Sequence, residues 1–250
     1  MDKIRNFIKT VREIYSPVEL ILIFVAFFGI SFSYFHTISE NMVISIIVGV
    51  VGLAFFFYYF SYQTKKLNRY QEQLSNLLKY VTNIKFFLQT GENVLYSLSS
   101  TLPTLTDKYI KEDVETVITG LEENAELVTD HFEKYKFPSL DQFHQNLKIC
   151  YEHGGDPEEL FDAVQKNMMF ELDKRDELYK KRKALAMNIY ILLAIVAIMP
   201  LILRFIVASL WTIFLSYQII SLAILLITVG AILAVLYFTQ KKKMDISVRI

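Results

Sequence analysis

The sequence predicts an all-α integral membrane protein, with four transmembrane helices and a cytoplasmic six-helix antiparallel bundle inserted between the second and the third. Three observations carry that expectation. Four stretches of about 20 mostly apolar residues are each long enough to cross a hydrocarbon core. Charge is segregated: the 26 basic and 26 acidic residues cancel, yet the two ends are nearly uncharged apart from basic flanks, and the middle carries most of the charge. Within that middle, apolar residues recur at spacings of three and four, and no alternating strand pattern of useful length appears. Formal neutrality argues against a nucleic-acid binder, which would show a basic excess. Cys150 is the single cysteine, so no intrachain disulfide can form.

Taken in order, residues 1–17 read as a basic amphipathic segment, with Lys3, Arg5, Lys9 and Arg12 around Ile4, Phe7, Ile8 and Val11. It suits a helix lying on an anionic leaflet, or it is simply the cytoplasmic flank of the first span. A secretory signal is disfavoured, because the next apolar stretch is long, lacks a small-residue cleavage site and is soon followed by another. Residues 18–62 hold the first two spans, at 18–35 and 42–62. The loop at 36–41 has no Lys or Arg, whereas Lys65, Lys66 and Arg69 follow the second span. The positive-inside rule then puts the N-terminus in the cytoplasm and that loop outside. Tyr58, Tyr59 and Tyr62 fall where an interfacial aromatic belt would lie.

Residues 63–185 form the cytoplasmic domain. Leu74, Leu77, Leu78, Val81, Ile84 and Leu88 define its first helix, which Gly91 ends. Asn93 caps a second helix, carrying Val94, Leu95, Leu98 and Leu102 and stopping near Pro103. Tyr109, Ile110, Val114, Val117 and Ile118 give a third, ended by Gly120, and Leu121, Leu127, Val128, Phe132 and Tyr135 a fourth. Pro138 and Ser139 start the fifth, with Leu140, Phe143, Leu147, Ile149 and Cys150 on or near its buried face. Gly154 and Gly155 then stop it. Asp156, Pro157, Glu158 and Glu159 start the sixth: the aspartate caps free N–H groups, proline suits the first helical position, and the glutamates favour the positive end of the dipole. This helix continues through Phe161, Val164, Met168 and Leu172 towards the third span. Short loops imply antiparallel neighbours.

The last two spans, at 184–205 and 219–238 within the region 186–239, are flanked by Lys180, Lys181, Arg182 and Lys183 and by Lys241, Lys242 and Lys243. Both clusters mark the cytoplasmic side, so the tail at 240–250 is also inside. Pro200 is expected to kink the third span, and Trp211 to lie in a short outer turn.

The pattern Leu88-x-x-Gly91-x-Asn93-Val94-x-x-Ser97-Leu98, then Phe143-x-x-x-Leu147, then Gly154-Gly155-Asp156-x-x-x-Leu160-Phe161 ahead of a membrane span, resembles the type II secretion system F domain family. It looks most like the Tad/Flp pilus assembly platform proteins of the TadB and TadC kind, which share the order of two spans, one cytoplasmic helical domain and two spans. The resemblance implies an inner-membrane platform that couples a cytoplasmic hexameric secretion ATPase to the assembly of pilin subunits. Longer members carry two such domains and this chain carries one. That departure implies a second platform protein, or another copy of this one, as partner.

The residues themselves offer little catalytic chemistry. Neither Gly-x-x-x-x-Gly-Lys-Ser/Thr nor Gly-x-Gly-x-x-Gly occurs, so the chain is read as a non-enzyme without a cofactor. Gly91-Glu92-Asn93 reads as a helix–helix turn that would set the tilt between the first two domain helices. His131, His144 and His153 stand at no recognised ligand spacing with Cys150. Asp107, Glu112, Asp113, Glu115, Glu122, Glu123, Glu126, Asp130 and Glu133 form an acidic run with few basic residues among them. It is either a solvated face or a docking surface for a basic partner, since complementary fields steer association. An assembly ATPase is the candidate the resemblance supplies, on Glu112, Asp113, Glu115, Glu122, Glu123 and Glu126. The cluster from Lys180 to Lys183 is a membrane-edge anchor, worth about 1 kcal/mol per charge against anionic lipid, placed where it would transmit motion. Arg204 is read as snorkelling to the headgroups in preference to contacting a pilin helix. The rival functions are a transporter or a sensor subunit with a helical cytoplasmic domain.

Overall fold

The computed structural model describes residues 10–12 and 14–245. Most of the basic amphipathic segment, residues 1–9 and 13, and residues 246–250 of the tail lie outside the described residues. In chain order the helices are α1 (Pro17–Ser39), α2 (Met42–Phe56), a π-helical turn (Phe57–Tyr62) that leads directly into α3 (Gln63–Gln89), α4 (Val94–Thr101), α5 (Lys108–Asn124), α6 (Pro138–His153), α7 (Pro157–Ile206), α8 (Ala208–Ser216) and α9 (Gln218–Met244). Two 3-10 segments, Leu102–Thr104 and Asp130–Tyr135, complete the set, and the described residues contain no strand. Four helices are long and apolar enough to cross a membrane: α1, the run Met42–Gln89, α7 and α9. The chain divides into two compact units, Met1–Leu67 with Leu178–Ile246, and Asn68–Glu177. The cluster from Lys180 to Lys183 falls in the first of these units.

In the apolar unit, α1 starts where Ser16 Oγ accepts the Glu19 N–H at 3.2 Å, with proline in the first turn. It ends at Glu40, whose φ of 55° turns the chain. Asn41 Oδ1 then accepts the Ile44 N–H at 3.2 Å and starts α2. The two helices pack closely because glycine lines the contact. A Cβ added at Gly52 would lie 2.7 Å from Ser31 Cβ, and closer still to its hydroxyl. The chain does not break after the second span. Instead the Gln63 N–H reaches back to the Tyr58 carbonyl, one residue further than in an α-helix, and the chain stays helical to Gln89. Nor is Trp211 in a turn. It sits in α8, buried against Phe35, Ile38 and Leu225, with Nε1–H donating to the Ile38 carbonyl at 3.2 Å.

The second unit has one core, in which Tyr80, Ile84, Leu98, Val114, Phe132, Phe143, Leu147, Phe161 and Met168 are buried. Three cross-links fix α3 and the first half of α7 as antiparallel. Gln71 meets Asp176, Thr82 meets Gln165 and Lys85 meets Asp162, so rising numbers on one helix face falling numbers on the other. The expected fourth helix is absent, because Gly120 does not end α5. The helix continues to Asn124 and stops at Ala125, with φ of 53°. Gly120 instead allows a close return of the chain: a Cβ there would lie 3.3 Å from the Glu126 carbonyl oxygen. Leu127, Phe132 and Tyr135 reach the core from the irregular stretch and its 3-10 turn, and Val128 is exposed. On α6, Leu140, Phe143 and Leu147 are buried as expected and Cys150 partly so, whereas Ile149 is exposed.

Candidate functional site

The turn at 153–157 is assembled from local chemistry. Gly154 has φ of 73° and donates its N–H to the Cys150 carbonyl at 3.1 Å. Gly155 has φ of 137°, and a Cβ on it would meet Leu160 Cδ1 at 3.2 Å. Both conformations favour glycine. Asp156 Oδ1 accepts the Glu158 N–H at 2.9 Å, and Pro157 begins α7. Asn146 Nδ2 braces the new helix from α6, donating to the Leu160 carbonyl at 2.6 Å. The Gly91 turn is built alike: Gly91 has φ of 89°, and Asn93 Oδ1 caps α4 through the Tyr96 N–H at 2.8 Å.

The acidic candidates do not form one set. Glu112, Glu115, Glu122, Glu123 and Glu126 are exposed along α5 and just beyond it. Glu112 has Lys108 within 3.6 Å. Asp113 is buried and leaves the docking list. Its carboxylate accepts from Lys134 Nζ at 2.6 Å and from the Tyr135 hydroxyl at 2.7 Å, and its carbonyl from His131 Nε2 at 3.0 Å. Asp113 thus fastens the 3-10 segment to α5, as a buried carboxylate must be paired to stay charged. Asp107, from the same run, caps α5 through the N–H groups of Tyr109 and Ile110.

His144 lies beside this cluster, hydrogen-bonded to the Tyr80 hydroxyl at 3.2 Å and 4.5 Å from the Phe132 ring centroid. Burial, helped by the nearby His131, pushes its pKa down from 6.5 to about 3. The unfolded chain therefore binds a proton that the folded chain refuses. Stability should fall as pH drops from about 6.5 towards 3, by roughly 1.4 kcal/mol per unit from this residue. Replacing His144 by Asn should flatten that part of the acid-unfolding profile; an unchanged slope would contradict the assignment.

A second buried polar group joins α7 to its neighbours. Arg175 pairs with Glu171 at 2.5 Å, donates to the Tyr70 hydroxyl at 3.0 Å, and lies over the Phe137 ring, while Ser139 donates to Glu171 at 3.3 Å.

In the apolar unit, polar groups gather at the two ends of the long helices. At one end Gln240, 1 % exposed, takes a Tyr190 hydroxyl bond at 2.7 Å on its carbonyl oxygen. Its Nε2 donates to the Tyr59 carbonyl at 2.8 Å. Gln63 would occupy that carbonyl in a regular α-helix, and the π-helical turn frees it. Gln240 thus satisfies a backbone group that hydrocarbon could not. Nearby, Arg182 donates to the Lys242 carbonyl at 3.2 Å and lies 3.6 Å from Asp245. Lys180, Lys181 and Lys183 are exposed. The two predicted basic clusters therefore meet. At the other end Arg204 does not simply snorkel: its Nη2 pairs with Glu40 Oε1 at 3.0 Å. Pro200 lies inside α7, and the Tyr34 hydroxyl donates to the Ala197 carbonyl at 2.9 Å, within the turn that proline disrupts.

Comparison with protein-family models, with curated proteins and with solved structures gives no match. Sequence reading missed Gln240, Glu40 and the Glu171–Arg175 pair. The last was open to discovery as an acid and a base four residues apart on one helix face. Gln240 carried a weaker sign, an uncharged polar residue one step before a lysine run.

Proposed function

We propose that this chain is a non-enzymatic platform of the type II secretion system F domain kind, a multi-pass protein of the inner or cytoplasmic membrane with both termini in the cytoplasm. In this reading the helical unit is cytoplasmic and docks a hexameric secretion ATPase. The spans contact pilin subunits, and a second platform protein or another copy completes the assembly. Five glutamates remain as the docking face: Glu112, Glu115, Glu122, Glu123 and Glu126. The observation that carries the reading is α7, a single helix of 50 residues. It opens at the Asp156 cap, buries Phe161, Val164 and Met168 in the core of the helical unit, and continues into an apolar stretch of span length. Movement imposed on the helical unit would pass along that helix to the membrane, and no chemistry by the chain itself is needed.

Gly155→Val tests the reading. A β-branched residue is strained at a φ of 137° and would press on Leu160. The expected result is loss of pilus or fibre assembly to background, with the chain still inserted in the membrane at normal levels. Normal assembly in that variant would count against α7 as the transmitting element.

A further inference from the structure

A groove of about 250 Å³ runs between α3 and the first half of α7. The helices are tied at one end by Gln71 Nε2 donating to Asp176 Oδ1 at 3.4 Å, and at the other by Gln165 Nε2 donating to Thr82 Oγ1 at 2.9 Å. Between the ties the groove has an apolar floor and an acidic rim. Leu74 is buried, Leu78 and Leu172 are half-buried, and Met169 is exposed, with Ser75 and Asp173 open to solvent.

The charges around the groove leave two carboxylates over. Lys174 is held by Glu177 at 2.8 Å, Arg175 by Glu171 at 2.5 Å, and Lys166 lies 3.7 Å from Asp162. Asp173 and Asp176 have no cation within ion-pair distance among the described residues. Standing three apart on a helix, they share one face. Arg175 lines the groove but does not oppose a cation there, because its charge is already matched by Glu171.

The geometry points to this groove as a docking site for a basic amphipathic segment of a partner protein, with one arginine or lysine side chain laid in it. A cavity of about 150 Å³ accommodates benzene, so this one suits a single long side chain and is too small for a helix. The methylene stem covers Leu78, Met169 and Leu172, and the cationic head reaches Asp173 and Asp176, as long basic side chains do on half-apolar surfaces. The inference does not rest on the platform reading, and it concerns a different surface from the glutamates of α5.

The test uses the full chain in phosphatidylcholine nanodiscs and a fluorescent amphipathic peptide with arginines at helical spacing. The same peptide with glutamates at those positions is the control. Saturable binding of the arginine peptide alone is expected. Asp173→Lys with Asp176→Lys should weaken it tenfold or more, and Met169→Trp, which fills the groove without changing charge, by a similar factor. Glu92→Lys with Glu152→Lys, which reverses two exposed charges away from the groove and from the α5 glutamates, should change it less than twofold. All these positions are exposed, and Asp176 gives up only one long surface hydrogen bond to Gln71, so thermal unfolding should change little. Equal weakening by both charge reversals would reduce the effect to general acidity and overturn the site. So would binding that survives both groove variants, or no saturable binding. Self-association of the chain abolished by the same groove variants would make the occupant a second copy and overturn the assignment to a separate partner.

Discussion

Glu171→Ala should destabilise the protein by about 3–5 kcal/mol, the usual cost of breaking a buried ion pair from one side. The side chains of Glu171 and Arg175 are only 5 % and 12 % exposed. Without the carboxylate, the guanidinium keeps the Tyr70 hydroxyl and two aromatic faces. None of these carries a negative charge, and Arg175 Nε has no partner among the described residues. The double variant Glu171→Ala with Arg175→Met should recover most of the loss, because the uncompensated charge is gone. Denaturant unfolding of the detergent-solubilised chain gives both values. A single-variant cost below about 1 kcal/mol would mean that the pair behaves as a solvent-exposed one.

Phe161→Ala should cost a comparable amount, about 3–5 kcal/mol, for removing a large aromatic side chain from a closed core. Phe161 is fully buried, and its ring lies 5.2 Å from that of Phe143 on α6. It is also the first core anchor of α7 after the glycine turn. The cavity left behind would loosen the start of the helix that the proposed mechanism depends on. Phe161→Leu, which keeps most of the volume, should cost less than half as much. Equal costs for the two would show that ring geometry, and not volume, holds the site.

What could be read from the sequence was local. The Asn93 cap, the Gly154–Pro157 turn, the buried stripe of Phe161, Val164 and Met168, and all four long apolar helices follow from residues within a turn or two of one another. What failed depended on the rest of the chain. Gly120 looked like a helix stop, yet it is a helical residue placed where Glu126 folds back. Asp113 looked like one more surface acid, yet Lys134 and Tyr135, 21 and 22 residues later, draw it inside. Arg204 finds Glu40 across 164 positions of sequence, and Gln240 finds the Tyr59 carbonyl across 181. No periodicity announces pairings of that range. The π-helical turn was invisible for a related reason: the carbonyl it frees is met by Gln240, a residue on another helix.

We propose that this chain receives force from an ATPase and does no chemistry itself. The most direct measurement is in-cell crosslinking of the full chain in its native membrane, followed by affinity purification and mass spectrometry of what is captured. The expected result is a hexameric secretion-type ATPase attached through the helical unit, and small single-span pilins attached through the apolar helices. Crosslinks that recover neither would contradict it.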